Sequence, residues 1–421
     1  ANNTAVGRGA LNGNTTANDN TAVGYAALTA NTTGAQNTAV GKDALDANTT
    51  AHDNTAIGVG ALGVMDGGLG KNVAVGNYSG DAITTGGSNN LVGYQAGTTI
   101  TTGSNNNAFG TLALANATSP DFNCAFGQEA LEDCTTGANN IAMGYNALTA
   151  LTTGSHNTAI GHEALKISTT VSANVAVGYH ALRVNTTGVY NAALGAYTLD
   201  ANTTGQKNTA VGYNALSENT TGTDNTGVGN LCLDGVTTGH SNSALGSQAG
   251  DAISTGEYNT AIGAYALMTA TTAHYNTAIA SRSQQSVTTG HSNTSIGYYS
   301  LYTCTTGYQN VSVGRSAGAS ITTGSGNVCI GMESGDAITT GANNICIGHG
   351  AEVGSGQAIG IAIGANVTGA SDYQVSIGND SVGKIQNAFN SNATWARVSD
   401  VRFKKDINTN TDCGLNFIND L

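Results

Sequence analysis

The chain has 421 residues with 59 Gly, one Pro, 5% aromatic and 9% charged residues, and a formal net charge of −13. Its polarity comes from Asn, Thr, Ser and Gly rather than from charge, which excludes a charge-rich or Pro-rich disordered chain. The acidic balance, with only 13 Lys and Arg and no cluster of them before the extreme C-terminus, excludes a basic footprint for nucleic acid or an anionic membrane.

The N-terminal text "ANNTAVGRGA" has neither the basic nor the apolar region of a signal peptide and opens in mid-phrase, which points to an upstream part. No run approaches the length of a membrane span, so membrane insertion is not expected. From there one phrase recurs. Aligned on the glycine of "AVG", positions 7, 24, 41, 58, 76, 93 and 110 lead onward to 348 in steps of 17, with one residue inserted near "GVMDGGLGKN". Asn stands four residues before that position in all 21 registers from Asn3 to Asn344, while the glycine fails once, at Ala280. A short fixed period of this fidelity predicts an all-β parallel β-solenoid, a left-handed β-roll or β-helix of 17-residue coils, over residues 1–348.

Within a coil, "NTAVG" alternates as a strand, Leu follows four residues after the glycine, and "TTG" closes the return path. Ala17, Ala51, Pro120, Val171 and Ala273 replace the glycine of "TTG", so that slot does not demand a positive φ. The invariant Asn, as at Asn20, Asn37, Asn54, Asn157, Asn208 and Asn259, predicts a ladder of stacked side-chain amides about 4.8 Å apart. The predicted core of each coil is thin: the large residue before the glycine, the Leu, and Ile or Val at the start of "ITTG". A lone solenoid is then marginal, and the Ala two before the glycine offers a small-residue face for close approach of another subunit. The expectation is oligomerisation.

Beyond Gly348 the steps shorten through Gly364 and Gly378, and "IAIGANVTGASDYQVSIGND" resembles the head repeats of trimeric autotransporter adhesins of the YadA type. That resemblance implies three parallel β-rolls standing side by side and assigns residues 349–383 to shorter coils. Residues 384–398 form a connector. From residue 399 the text changes to "SDVRFKKDINTNTDCGLNFINDL", with raised charge and a short amphipathic pattern. Ser399, Asp400, Arg402, Lys404 and Ile407, followed by Gly414, Leu415, Ile418 and Leu421, resemble the opening of the peptidase S74 intramolecular chaperone domain of phage tail fibres. By that resemblance 399–421 begins a trimerising domain that releases itself by autocleavage, with Ser399 as nucleophile and Lys404 as base.

Tyr recurs just after the glycine at Tyr25, Tyr94, Tyr145, Tyr179, Tyr213 and Tyr298, a set of rings suited to receptor contact, including stacking on sugars. The eight His are dispersed, four of them (His52, His240, His274, His291) in the loop before the Asn, and read as solvated positions or as metal ligands at a trimer axis. The sequons at Asn14, Asn31, Asn48, Asn185, Asn202 and Asn219 read as turn residues. Seven Cys without a CxxC read as reduced and structural, with Cys329 and Cys346 stacked one coil apart. No carboxylate pair, Ser-His-Asp grouping, complete P-loop or clustered zinc ligands rises above the repeat, so no cofactor is expected and autocleavage is the only chemistry.

These features together imply the homotrimeric shaft, its chains side by side or intertwined, of a phage or related viral fibre on the virion surface, holding an attachment element toward a host receptor. The alternatives are a bacterial trimeric adhesin head on the cell surface and an ice-binding solenoid. Frequent replacement of Thr in "NTA" weakens the last.

Overall fold

The computed structural model describes residues 2–369 and 371–388, and the backbone of 396–398. Every helix or strand among these residues is a β-strand, and the chain divides into two units, Ala1–Tyr265 and Ala266–Leu421. In the first unit, 16 strands of three residues run from Thr4–Val6 to Thr260–Ile262. Within this unit neighbouring strands pair in parallel at a step of 17 residues, as Thr158↔Val175 and Ser243↔Thr260. The step is 18 only at Thr55↔Val73, where Gly67, Gly68 and Gly70 take positive φ and loop out the extra residue. In the second unit the strands from Thr277–Ile279 to Ile345–Ile347 keep the 17-residue step. The step then falls to 16 (345 to 361) and 14 (361 to 375). The chain is thus an all-β parallel β-solenoid. Parallel pairing stops at Gln374–Asn379, which pairs antiparallel with Gly383–Ala388, and this strand pairs antiparallel with Ala396–Val398. Residues expected to form a connector therefore contribute two strands.

Strand alternation decides what faces inward, and it corrects the predicted core. The middle residue of each strand points in, so Ala22, Ala39, Ala56 and Ala74 are fully buried. The residue before the glycine points out: Ile57 is 40% exposed and Leu194 50%. The Ala column is therefore interior packing, not a face for another subunit. In its place, Ala and Leu three and four residues after the glycine complete the interior, as at Ala27 and Leu28. The Leu slot is left-handed, with φ of 52° at Leu28 and 50° at Leu45, a conformation that L-residues normally avoid.

That slot obeys a volume rule. Where it holds Leu, residue seven after the glycine is often Asn, as at Asn31, Asn48, Asn185, Asn202 and Asn219. Where it holds Gly, residue seven is Ile. A Cβ on Gly80 would lie 3.1 Å from Ile83 Cδ1, and one on Gly250 3.0 Å from Ile253 Cδ1, so the Ile fills the place of the missing Leu. Of the sequon asparagines read as turn residues, Asn31, Asn48, Asn185, Asn202 and Asn219 are fully buried and Asn14 is half-buried. Asn48 Nδ2 donates to Asn31 Oδ1 at 2.9 Å and Asn202 Nδ2 to Asn185 Oδ1 at 2.8 Å, a second, interior amide stack. It stops after Asn219, where the next coil has Val236 and Asn219 Oδ1 is left without a partner.

The invariant Asn column is buried and heavily bonded. Asn37 N–H donates to Asn20 Oδ1 at 2.9 Å, and Asn37 Nδ2 to the Ala51 carbonyl at 2.8 Å. Asn54 donates both its N–H and its Nδ2 to Asn37 Oδ1, at 3.0 and 3.1 Å. Asn20, Asn157 and Asn259 receive the same backbone-to-side-chain bond, their N–H donating to Asn3, Asn140 and Asn242 Oδ1 at 2.9, 3.0 and 3.1 Å. The strand glycine that follows adopts φ of +143° at Gly24, and a Cβ there would collide with the carbonyl of Gly41, so both backbone angle and space require Gly. The glycine of "TTG", by contrast, has no positive φ at Gly34, Gly86 or Gly188. Thr hydroxyls beside it bond the next coil, as Thr32 Oγ1 to the Thr49 carbonyl at 3.0 Å.

Asn208→Ala is expected to strand the Asn225 N–H, bonded to Asn208 Oδ1 at 3.0 Å, and the Gly222 carbonyl, bonded to Asn208 Nδ2 at 2.8 Å. At about 1–3 kcal/mol for each unsatisfied buried group, the variant should lose at least ~2 kcal/mol, read in a denaturant titration.

Five residues after the glycine, several coils of the first unit carry an acid: Asp46, Asp81, Asp200, Asp234 and Asp251. Burial, then the charges of Asp234 and Glu218, push the Asp251 carboxyl up to about 6 from 3.8. Its folded pKa lies above its unfolded one, so its contribution to stability is full below about pH 4 and is lost as pH rises through about 6. The melting temperature should fall across that window, and Asp251→Asn should flatten the fall; an unchanged slope would remove Asp251 as its source.

Candidate interaction surface

Outward-facing strand residues make two columns. One is mainly Thr, Val, Asn and Ile and half-buried; the other is the row of Val, Ile, Leu, Phe and Met just before the glycine. In the first unit this row includes Val40, Ile57, Phe109, Phe126, Met143, Ile160, Leu194, Leu245 and Ile262, all exposed. In the second unit it includes Ile296, Ile330 and Ile377. Phe109 and Phe126 stack face to face at 4.8 Å, the spacing of adjacent coils. An aliphatic and aromatic row that is exposed or half-buried in coil after coil leaves apolar surface in water, the feature that distinguishes a contact surface from scattered surface hydrophobes.

Next to this row lie the tyrosines. Tyr25, Tyr94, Tyr145, Tyr179, Tyr213 and Tyr298 are all exposed, between 42% and 51%. They do not form one stripe. Lys42, Val59 and Asn77 occupy the same slot between Tyr25 and Tyr94, and Tyr25 instead lies under the Arg8 guanidinium, 5.9 Å from its ring centroid. Tyr298 packs edge-on against Tyr299 at 4.1 Å. Only Tyr145, Tyr179 and Tyr213 belong to one group, and they are joined by His162, which the sequence shows only as a histidine following the glycine, and by His180 and Tyr197, which the sequence reading did not single out. His162 sits between Tyr145 and Tyr179, with centroids 5.2 Å from each. His180 stacks on Tyr179 at 3.9 Å, Tyr197 meets His180 edge-on at 5.4 Å, and Tyr213 meets Tyr197 edge-on at 6.0 Å.

This belt crosses five consecutive coils. His180 and Tyr197 come from the slot two residues after the glycine, which is left-handed at both (φ 57°), so their side chains rise beside those of the preceding slot. A period-2 strand reading has no place for that left-handed residue, which is why only half of the belt is visible in the sequence. Tyr197, Asp200, Tyr213, Asn214 and Ser217 line an open groove at the end of the belt. Below it, Glu163 accepts from Lys166 Nζ at 2.6 Å and lies 3.2 Å from His180 Nε2, while Arg183 pairs with Asp200 at 3.0 Å. The Lys166 hydrogen bond holds the Glu163 carboxyl below its usual range. Burial, then Arg183, lowers the His180 imidazole.

The loop histidines do not share a site. His52 Nδ1 accepts from the Ala35 N–H at 2.9 Å, and His240 Nε2 lies 3.1 Å from Glu257. Cys329 and Cys346 are register partners, both fully buried and unbridged, and the hydrogen bond with Cys346, then burial, pushes the Cys329 thiol well up. Ser399 and Lys404 lie outside the described residues. Among the described residues, no helix is long and apolar enough to cross a membrane. Comparison with protein-family models, with curated proteins and with solved structures finds no match to this chain.

Proposed function

We propose that the chain is the shaft of a homotrimeric fibre of a phage or related virus, displayed on the virion surface to support attachment to a host cell. The observation that carries this reading is the apolar row before the glycine, which a single chain leaves exposed over coil after coil in each unit. Its occupant is another copy of this chain. A partner that covers such a row along its length must repeat at the same coil pitch and be equally apolar, and a second identical solenoid meets both conditions without further design. Isolated binding partners would cover only a few coils.

The low charge fits a structural role, with autocleavage at Ser399 as the one expected reaction. Register gives that reaction a purpose. A shift by one residue between copies would misplace every side chain, but a shift by a whole coil costs little because the coils are alike. A C-terminal clamp that trimerises first removes the ambiguity. The aromatic belt from Tyr145 to Tyr213, with Asp200 and Asn214 beside its groove, has the ring faces and polar groups that a surface glycan engages.

Sedimentation of the purified chain should give about three times its 41.9 kDa mass, and Phe109→Glu with Phe126→Glu should shift it toward monomer while the far-ultraviolet spectrum persists. A wild-type monomer at micromolar concentration would sink the assembly. For the junction, mass spectrometry of the gene product that carries this sequence should find a new terminus beside Ser399 that disappears in Ser399→Ala; an unprocessed wild-type product rules out the chaperone assignment.

A further inference from the structure

His162, Glu163 and His180 place one donor atom each, two imidazole nitrogens and a carboxylate oxygen, within 4.8 Å of one another. Among the described residues this is the one group of three or more such side chains. We propose that it is a binding site for a first-row divalent transition metal, with zinc and copper as the ions whose chemistry suits it.

The argument begins with the fold. His162 and Glu163 follow Gly161 by one and two residues, and His180 follows Gly178 by two, so His180 stands directly over Glu163 in the next coil. The backbone holds that alignment, since His180 N–H donates to the His162 carbonyl at 3.0 Å and Glu163 N–H to the Tyr145 carbonyl at 2.9 Å. The rings are held as well. His162 is packed between Tyr145 and Tyr179, and His180 lies on Tyr179, so neither imidazole needs to be ordered by the metal.

The donors match the ion. Two nitrogens and one carboxylate oxygen favour zinc, nickel or copper over calcium or magnesium, which require oxygen shells. Metal–ligand bonds near 2.0–2.2 Å put donors in a tetrahedral shell about 3.3 Å apart. Glu163 Oε2 already lies 3.2 Å from His180 Nε2, so two of the three donors stand at that separation, and the His162 nitrogen lies within 4.8 Å of both. Glu163 Oε1 remains with Lys166 at 2.6 Å, an outer-shell partner that fixes the carboxylate while Oε2 stays directed at the site. With three protein donors, the remaining positions are open to water or to an oxygen or nitrogen donor from outside. The site lies on the exposed aromatic belt, so the class of molecule it would capture is a small ligand with such a donor.

Isothermal titration of the chain with zinc chloride should show one tight site per chain. His180→Ala, His162→Gln and Glu163→Gln should each weaken it by at least about tenfold, whereas His349→Gln and His240→Gln should leave it unchanged. Circular dichroism of each variant checks that the solenoid is intact. With one equivalent of copper(II), electron paramagnetic resonance should report two nitrogen ligands in the parent and one in His180→Ala. Zinc binding that survives all three ligand substitutions, or a copper spectrum that His180→Ala does not alter, overturns the assignment. Both readouts are independent of whether the chain trimerises or serves a virus.

Discussion

The structure depends on one contact repeated at every coil: an Asn side-chain oxygen accepting the backbone N–H of the Asn 17 residues on, as Asn37 Oδ1 does from Asn54. A three-residue strand fixes too few hydrogen bonds to hold its own register, and a coil buries little apolar surface. The Asn supplies what is missing. Its oxygen reaches along the stack while its Nδ2 closes onto the carbonyl at the end of the "TTG" turn, as Asn20 does onto Gly34 at 2.9 Å, so a single side chain ties strand, turn and neighbouring coil together. Because these bonds lie in a buried environment, losing one partner leaves the other unsatisfied, and the penalty rather than the bond makes the position invariant.

The rest of the interior is a set of exchangeable fillings around that frame. Leu with Asn and Gly with Ile are two ways to occupy one space. In the first, Leu45 fills it beside Asn48; in the second, Ile83 reaches in over Gly80. The Leu solution places an L-residue in the left-handed region, a local cost offset by burying the whole side chain. The Gly solution has no such cost but exposes more backbone freedom in the unfolded chain. Coils of both kinds pair in the same register, as Thr55↔Val73 and Val73↔Asn90 show, so the frame tolerates either.

The period was legible in the sequence because Asn answers a structural constraint in every register and the strand Gly in all but the one at Ala280. The parallel stack, the strand and the shortened steps after Gly348 follow from it directly. What faced outward was not legible. Counting large apolar residues as core is the ordinary rule, yet alternation around a narrow interior reserves the inward strand position for Ala39 or Ala56 and sends Val40 or Ile57 outside. The left-handed slots were hidden for a related reason: residues as different as His180, Tyr197 and Leu28 occupy them, so glycine marks them in only some coils. The aromatic belt was half-visible on that account, and its histidines were not connected to its tyrosines. Asn31 and Asn202 looked like turn residues because their text matches a turn; only the stack places them inside.

One consequence concerns how such a chain changes over generations. In the regular coils the frame bonds join residues 17 or 14 apart, as Asn37 to Asn20 and Asn37 to Ala51 do. Loss or duplication of a whole coil brings identical partners back into place, so unequal crossing-over between copies of the repeat yields a foldable product at once. Single-residue insertions need a loop such as the one at Gly67–Gly70, but whole coils need nothing. Length and surface decoration can therefore vary independently, the first by recombination and the second by point substitution at outward slots.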